Sequence, residues 1–226
     1  MPVPYLNVTM SAAANSEAYW AAGAYLLAQY PSLIDSGVFG YVITGGSYPI
    51  NSSTFAALYI GFFFAPNRSL SELVGALTPL LEYVNTTWPD QFTIIFDTYS
   101  YPDFYSWWSS AFSSDFGVGG DGLVANRFLD ANALSAPQET LVQTLKEITP
   151  PESYVDINLI AGPRLWHAVP SGGSDSIHPG WRKAYVEFGK LPLLFIDLFP
   201  HATWHISCFS PLAYHVSHHP TTTIIS

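Results

Sequence analysis

A chain of 226 residues and 24.8 kDa can hold one substantial core or at most two small ones. Its 49% hydrophobic content excludes intrinsic disorder, and a net charge of −10, from 17 Asp+Glu against 7 Lys+Arg, sets its surface against phosphate backbones, so no nucleic acid is expected as partner. The apolar runs around Tyr59 to Ala65 and Leu191 to Phe199 fall well short of the ~20 residues a bilayer span takes, so no membrane partner is expected either.

In chain order, the first predicted element is a helix from Asn15 to Tyr30, with Tyr19, Trp20, Ala24, Leu26, Leu27 and Tyr30 on one side. Asn15-Ser16-Glu17 supplies capping chemistry, and Pro31 is expected to end it. Phe39 to Thr44 and Phe55 to Ala65 read as strands, with turns expected at Gly45-Gly46-Ser47 and Asn51-Ser52-Ser53. Ser69 with Glu72 three residues on forms a capping box, opening a helix whose apolar face is Leu70, Leu73, Val74, Leu77, Leu80 and Leu81; Pro79 inside it is a possible kink. Phe92 to Tyr99 is a strand and Phe104 to Phe112 a short aromatic helix or loop. Then follow a strand at Leu123 to Leu129, a helix at Pro137 to Ile148, an alternating strand at Tyr154 to Ala161 and a short strand at Lys183 to Phe188. Strands and helices are interspersed without the glycine-rich turns of a dinucleotide fold, so the expected class is α+β: a largely antiparallel sheet with helices covering one face.

Several motifs speak mostly by exclusion. Cys208 stands alone, so no intrachain disulfide or Cys-x-x-Cys metal site can form. Gly117-Val-Gly-Gly-Asp-Gly122 precedes a strand rather than a helix and reads as a turn, not a phosphate cradle. His201 and His205, four apart, and His215, His218 and His219 lie among prolines with no general-base Glu between them, so no metal site is expected. There is no Gly-x-Ser-x-Gly elbow, and Asp97, Asp103, Asp121, Asp130 and Asp156 read as solvated carboxylates at strand edges and turns. The start of the chain has neither the basic nor the apolar region of a signal peptide. Four N-x-S/T sequons, at Asn7, Asn51, Asn67 and Asn85, nevertheless leave two readings open: a secretory-pathway protein, or accidental matches.

Polar residues inside the predicted strands point to function. Asn126 and Arg127 interrupt one, Asn158 another, and together with the aromatics Tyr99, Tyr101, Tyr105, Trp107, Trp108 and Trp166 they suggest a small-molecule cavity on the sheet face that the helices leave open.

Glu17-Ala-Tyr-Trp, Phe39-Gly-Tyr, Phe63-Phe-Ala-Pro-Asn-Arg-Ser, Gly122-Leu-Val-Ala-Asn-Arg-Phe-Leu and, most specifically, Ser176-Ile-His-Pro-Gly-Trp-Arg-Lys-Ala-Tyr carry a family resemblance. From about Val3 to Phe188 the chain resembles the substrate-binding half of fungal FAD-linked oxidoreductases of the berberine-bridge-enzyme-like group, within the vanillyl-alcohol-oxidase type of flavoprotein. The resemblance implies an antiparallel sheet of about seven strands whose open face covers a flavin. It also implies two-electron oxidation of a small organic substrate with O2 as electron acceptor, often in secondary metabolism and often in secreted proteins. FAD is thus the implied cofactor, but the family's glycine-rich pyrophosphate loop and flavin-tethering residues find no match in this chain, and the expected product is partial or truncated. By the same resemblance Asp175, just ahead of the Trp-Arg block, would be the catalytic base, with Asn126, Arg127 and Asn158 facing substrate. Residues 1–188 are expected to form the substrate-binding domain; residues 189–226 match nothing in the family and read as an irregular tail, of the kind a translated intron or a frameshift leaves. The alternative is a non-catalytic domain that binds a small apolar molecule, or a degenerate one.

Overall fold

The computed structural model describes residues 1–50, 53–111, 125–149, 153–167, 178–192 and 221–225. The Gly117–Gly122 turn, Asp121, Asp175, Cys208 and the five tail histidines lie outside them.

The strands are β1 (Val3–Ala13), β2 (Phe39–Pro49), β3 (Phe55–Phe64), β4 (Thr93–Tyr101), β5 (Ala125–Leu129), β6 (Ser153–Leu159), β7 (Val186–Pro192) and β8 (Thr221–Ile225). They form one sheet in the order β5-β7-β6-β2-β3-β1-β4-β8, every ladder antiparallel. The helices are α1 (Glu17–Asp35), α2 (Leu70–Thr87), α3 (Phe104–Ala111), α4 (Ala131–Leu134), α5 (Gln138–Ile148) and α6 (Pro163–Trp166), with a 3-10 turn at Pro179–Arg182. The fold is α+β.

Alternation sorts the two faces of the sheet. In β1, Leu6, Val8 and Met10 are buried on the side of α1, α2 and α5, together with Val42, Phe63, Ile94, Phe96, Val155, Ile157 and Phe188 from the other strands. Leu73, Leu77, Leu81 and Val84 of α2, and Leu141 and Leu145 of α5, close that core from above. The α2 capping box forms as its sequence predicts: Ser69 Oγ accepts from Glu72 N at 3.2 Å while the Glu72 carboxylate accepts from Ser69 N at 2.7 Å.

Three local expectations are corrected. Pro31 does not end α1, which runs on to Asp35 because Leu33 and Ile34 still face the core; Gly37, at φ 88, stops it instead, with Gly37 N bonded to Ile34 O and Val38 N to Leu33 O. Gly45-Gly46-Ser47 is not a turn but lies within β2, at a bulge between Gly45 and Tyr48. A Cβ on Gly46 would fall 2.2 Å from the Trp20 ring, so a glycine is what lets α1 close on the bulge. Third, residues 3–13, for which the sequence pattern predicts no element, form β1, which lies inside the sheet between β3 and β4. The boundary expected at residue 188 falls inside β7, which pairs with β5 and β6 on both sides, and residues 221–225 add a strand to the outer edge of β4.

Candidate functional site

Opposite the helix core, the sheet presents a second face with two halves. One is aromatic. Tyr5 of β1 lies between Phe64 of β3 and Tyr99 of β4, and Trp107 of α3 packs over it with centroids 6.1 Å from Tyr5 and 4.7 Å from Phe64. Val3, Tyr5 and Trp107 thus make a small separate core, while Phe104, Tyr105 and Trp108 on the same helix stay 52%, 77% and 48% exposed. Burial pushes the Tyr5 hydroxyl up, and burial with the nearby Asp97 charge pushes Tyr99 up to about 12, so these phenols stay protonated through the physiological range. Asn7 Oδ1 and Tyr99 OH on this face are shut off from solvent with no hydrogen-bond partner among the described residues.

The other half is polar. Strand register brings Asp156 and Asn158 of β6, Glu187 of β7 and Asn126 of β5 onto the same face; Asp156, Asn158 and Glu187 are each set between apolar neighbours that point into the helix core. Asn126 Nδ2 donates to Glu187 Oε1 at 2.6 Å, and Asn158 Nδ2 reaches Glu187 Oε2 at 3.3 Å and Asp156 Oδ2 at 3.4 Å. Asn158 therefore bridges two carboxylates. Burial raises the Asp156 carboxyl above its ordinary value, and the charge of Glu187 adds to the rise against the lowering effect of the Asn158 bond. Tyr41 of β2 stands opposite Asn158, its hydroxyl held up by burial and by Asp156. Gly189 leaves the floor flat here, since a Cβ would meet Asn126 Oδ1 at 2.9 Å. Phe128 of β5 closes the far side beneath His178 and Trp181, whose ring centroids lie 5.6 and 4.7 Å from it.

Of the residues expected to face substrate, Asn126 and Asn158 come together around Glu187. Arg127 does not join them: it pairs with Phe188, on the helix side of β5, because alternate residues of a strand take opposite faces. Asp156, read as a solvated edge carboxylate, instead sits half-buried in this cluster; Glu187 was not singled out at all. The signal for both was the alternation Val155-Asp156-Ile157-Asn158 and Val186-Glu187-Phe188. Among the described residues no group of three or more His, Cys, Asp or Glu could hold a metal, and no helix is long and apolar enough to cross a membrane. On the helix side, a cavity of about 10 Å³ beside Tyr19, Tyr30, Tyr59 and Thr149 admits at most one water.

No family model matches the chain, and no curated protein does. Solved structures do. A VAO-type flavoprotein of Myceliophthora thermophila C1 superposes over 84% of this chain and 34% of its own with a TM-score of 0.72 at 20% identity. The chain has the fold of one part of a VAO-type flavoprotein. A second VAO-type flavoprotein of that organism matches over 99% of the chain and 39% of its own (TM-score 0.63, 14% identity). Glucooligosaccharide oxidase from Acremonium strictum, described as carrying a 6-S-cysteinyl, 8α-N1-histidyl FAD, matches over 92% and 42% (TM-score 0.52, 11% identity). The chain thus spans between a third and a half of the length of these flavoproteins.

Proposed function

We propose that this sheet is the substrate side of an FAD-linked oxidoreductase of the VAO and berberine-bridge-enzyme-like type, which oxidises a small organic metabolite by two electrons and passes them to O2. The observation that carries the reading is the open face itself: a flat polar floor centred on Glu187, flanked by an aromatic wall, on a fold shared with flavoproteins. The residues present fit a planar heteroaromatic ring. The Gly189 floor would be filled by a Cβ, and Asn7 Oδ1 and Tyr99 OH are polar atoms with no partner among the described residues. FAD, when bound, supplies the two-electron acceptor. Tyr41, Asn158 and Glu187 are the residues that would face the reacting centre.

Glu187 is the proton acceptor in this proposal. Its two oxygens accept the amide hydrogens of Asn126 and Asn158, which hold the carboxylate in one orientation and leave its remaining lone pairs for a substrate proton. Asp156, half-buried beside it, keeps its own proton to higher pH than a solvated Asp does, so the pair need not carry two adjacent charges. The aromatic half supplies apolar surface against which a ring or alkyl portion of the substrate packs, keeping water from the carboxylate.

The test is a titration of the full chain with FAD, followed by anaerobic addition of a panel of small alcohols, sugars and phenols. The expected result is saturable quenching of flavin fluorescence and, with a substrate, bleaching of the oxidised-flavin band; Glu187→Gln keeps the quenching and loses the bleaching. Absence of any quenching would count against the flavin-facing assignment.

A further inference from the structure

Of the four sequons, the structure describes three, and it places them very differently. Asn7 sits in the middle of β1, opposite Phe62 on one side and Asp97 on the other, half-buried and with its Oδ1 closed to solvent. Asn85 is half-buried in α2 next to the buried Val84. Asn67 is exposed in the short turn between β3 and α2, at φ 66, a left-handed conformation that asparagine tolerates better than most residues. Its side chain makes no hydrogen bond, ion pair or ring contact within the described structure, and the turn is pinned by Arg68 N bonded to Ala65 O and the Arg68 guanidinium bonded to Ser36 O. The position follows the end of β3 and is exposed.

We infer that Asn67 carries an N-linked oligosaccharide and that Asn7 does not. The inference is independent of the flavin reading. The step is transfer of an oligosaccharide from a lipid diphosphate carrier: Asn67 Nδ2 bonds to the anomeric carbon, the bond from that carbon to the diphosphate oxygen breaks, the lipid diphosphate leaves, and the amide proton passes to a basic group of the transferase. Nothing is oxidised or reduced.

In the folded chain Ser69, the third residue of the sequon, is exposed, and its Oγ donates to Glu72 Oε2 at 2.8 Å and accepts from Glu72 N at 3.2 Å. Addition at Asn7 before folding would put a saccharide on an inner strand of the sheet, between Phe62 and Asp97, so chains so modified do not reach the folded, secreted pool.

The experiment is expression of the full chain behind a secretion leader in a eukaryotic host, with glycopeptide mapping of the secreted protein before and after treatment with peptide N-glycosidase. The same mapping on chains translated in the presence of microsomes reads Asn67 even if secretion fails. Asn67→Asp, which keeps the tolerance for positive φ, is the control variant. The expected result is an occupied Asn67 peptide, loss of one glycan in Asn67→Asp, and an unmodified Asn7 peptide in secreted protein. A bare Asn67 in both preparations, or a glycan on Asn7 of folded secreted protein, would overturn the inference.

Discussion

The two faces of this one sheet are built on opposite rules. On the helix side nearly every strand residue is apolar and buried, and most polar atoms there find each other: Tyr30 and Tyr59 share a hydrogen bond at 3.1 Å, Tyr19 OH donates to Leu58 O at 2.7 Å and meets Thr44 Oγ1, and among the described residues Thr149 Oγ1 is the exception, buried without a partner. On the open side the same strands carry carboxylates, amides and phenols, and among the described residues polar atoms are left without partners at Asn7 and Tyr99. A buried polar atom without a partner costs about 1–3 kcal/mol, so a fold tolerates it where a ligand or another surface supplies the bond. The first face holds the main core, and the second holds the polar groups of the proposed site.

Substitutions can break that division. The largest effect is expected at Phe63→Ala, which removes a fully buried ring from the helix face and should cost about 3–5 kcal/mol in denaturant unfolding. Phe62→Ala, one residue away on the open face, should cost clearly less; equal losses would contradict the division. Tyr59→Phe comes next, at about 1–3 kcal/mol, because it strands the Tyr30 hydroxyl inside the core.

Ser69→Ala should cost about 1 kcal/mol by opening the α2 capping box, measured by thermal unfolding. The bonds from Ser69 and Arg68 lower the Glu72 carboxyl from 4.5 to about 2. A depressed folded value means the stabilisation is complete above the unfolded value and is lost as pH falls from 4.5 toward 2, and Glu72→Gln should abolish that part of the acid dependence. Asp156 runs the other way. Its folded value lies above the ordinary 3.8, so the native state binds the extra proton and stability falls as pH rises from 3.8 through the raised value. Asp156→Asn should remove that loss, seen as a flatter melting temperature against pH. The smallest stability change, within about 0.5 kcal/mol, is expected for Glu187→Gln on the open face.

Much of the helix-side architecture was legible because it follows period and capping. The α2 helix, with Ser69, Glu72 and its leucine face, and strands β3 and β4 stand where their patterns put them. What misled were residues with strong local meanings that tertiary packing overrode. Pro31 is accommodated inside α1 because Leu33 and Ile34 still have core to bury, and Gly45-Gly46 bends a strand rather than ending one. Strand β1 hid behind Pro4 and its Asn, Thr and Ser, although Leu6, Val8 and Met10 alternate with Asn7, Thr9 and Ser11. The site was half legible. Asn126 and Asn158 stood out as amides in apolar strands, whereas Glu187 became recognisable only when pairing of β5, β6 and β7 brought it between them. Arg127 shows the reverse: a one-residue step in the same strand puts it on the helix side of the sheet, apart from Glu187.

The most direct test of the two-face account is amide chemical-shift mapping of the full chain titrated with FAD. The account predicts perturbations at Tyr41, Asn158, Glu187 and Gly189, with Leu73, Leu77 and Val84 of the helix side unmoved. Shifts centred on the α1, α2 and α5 layer, or none at all, would contradict it.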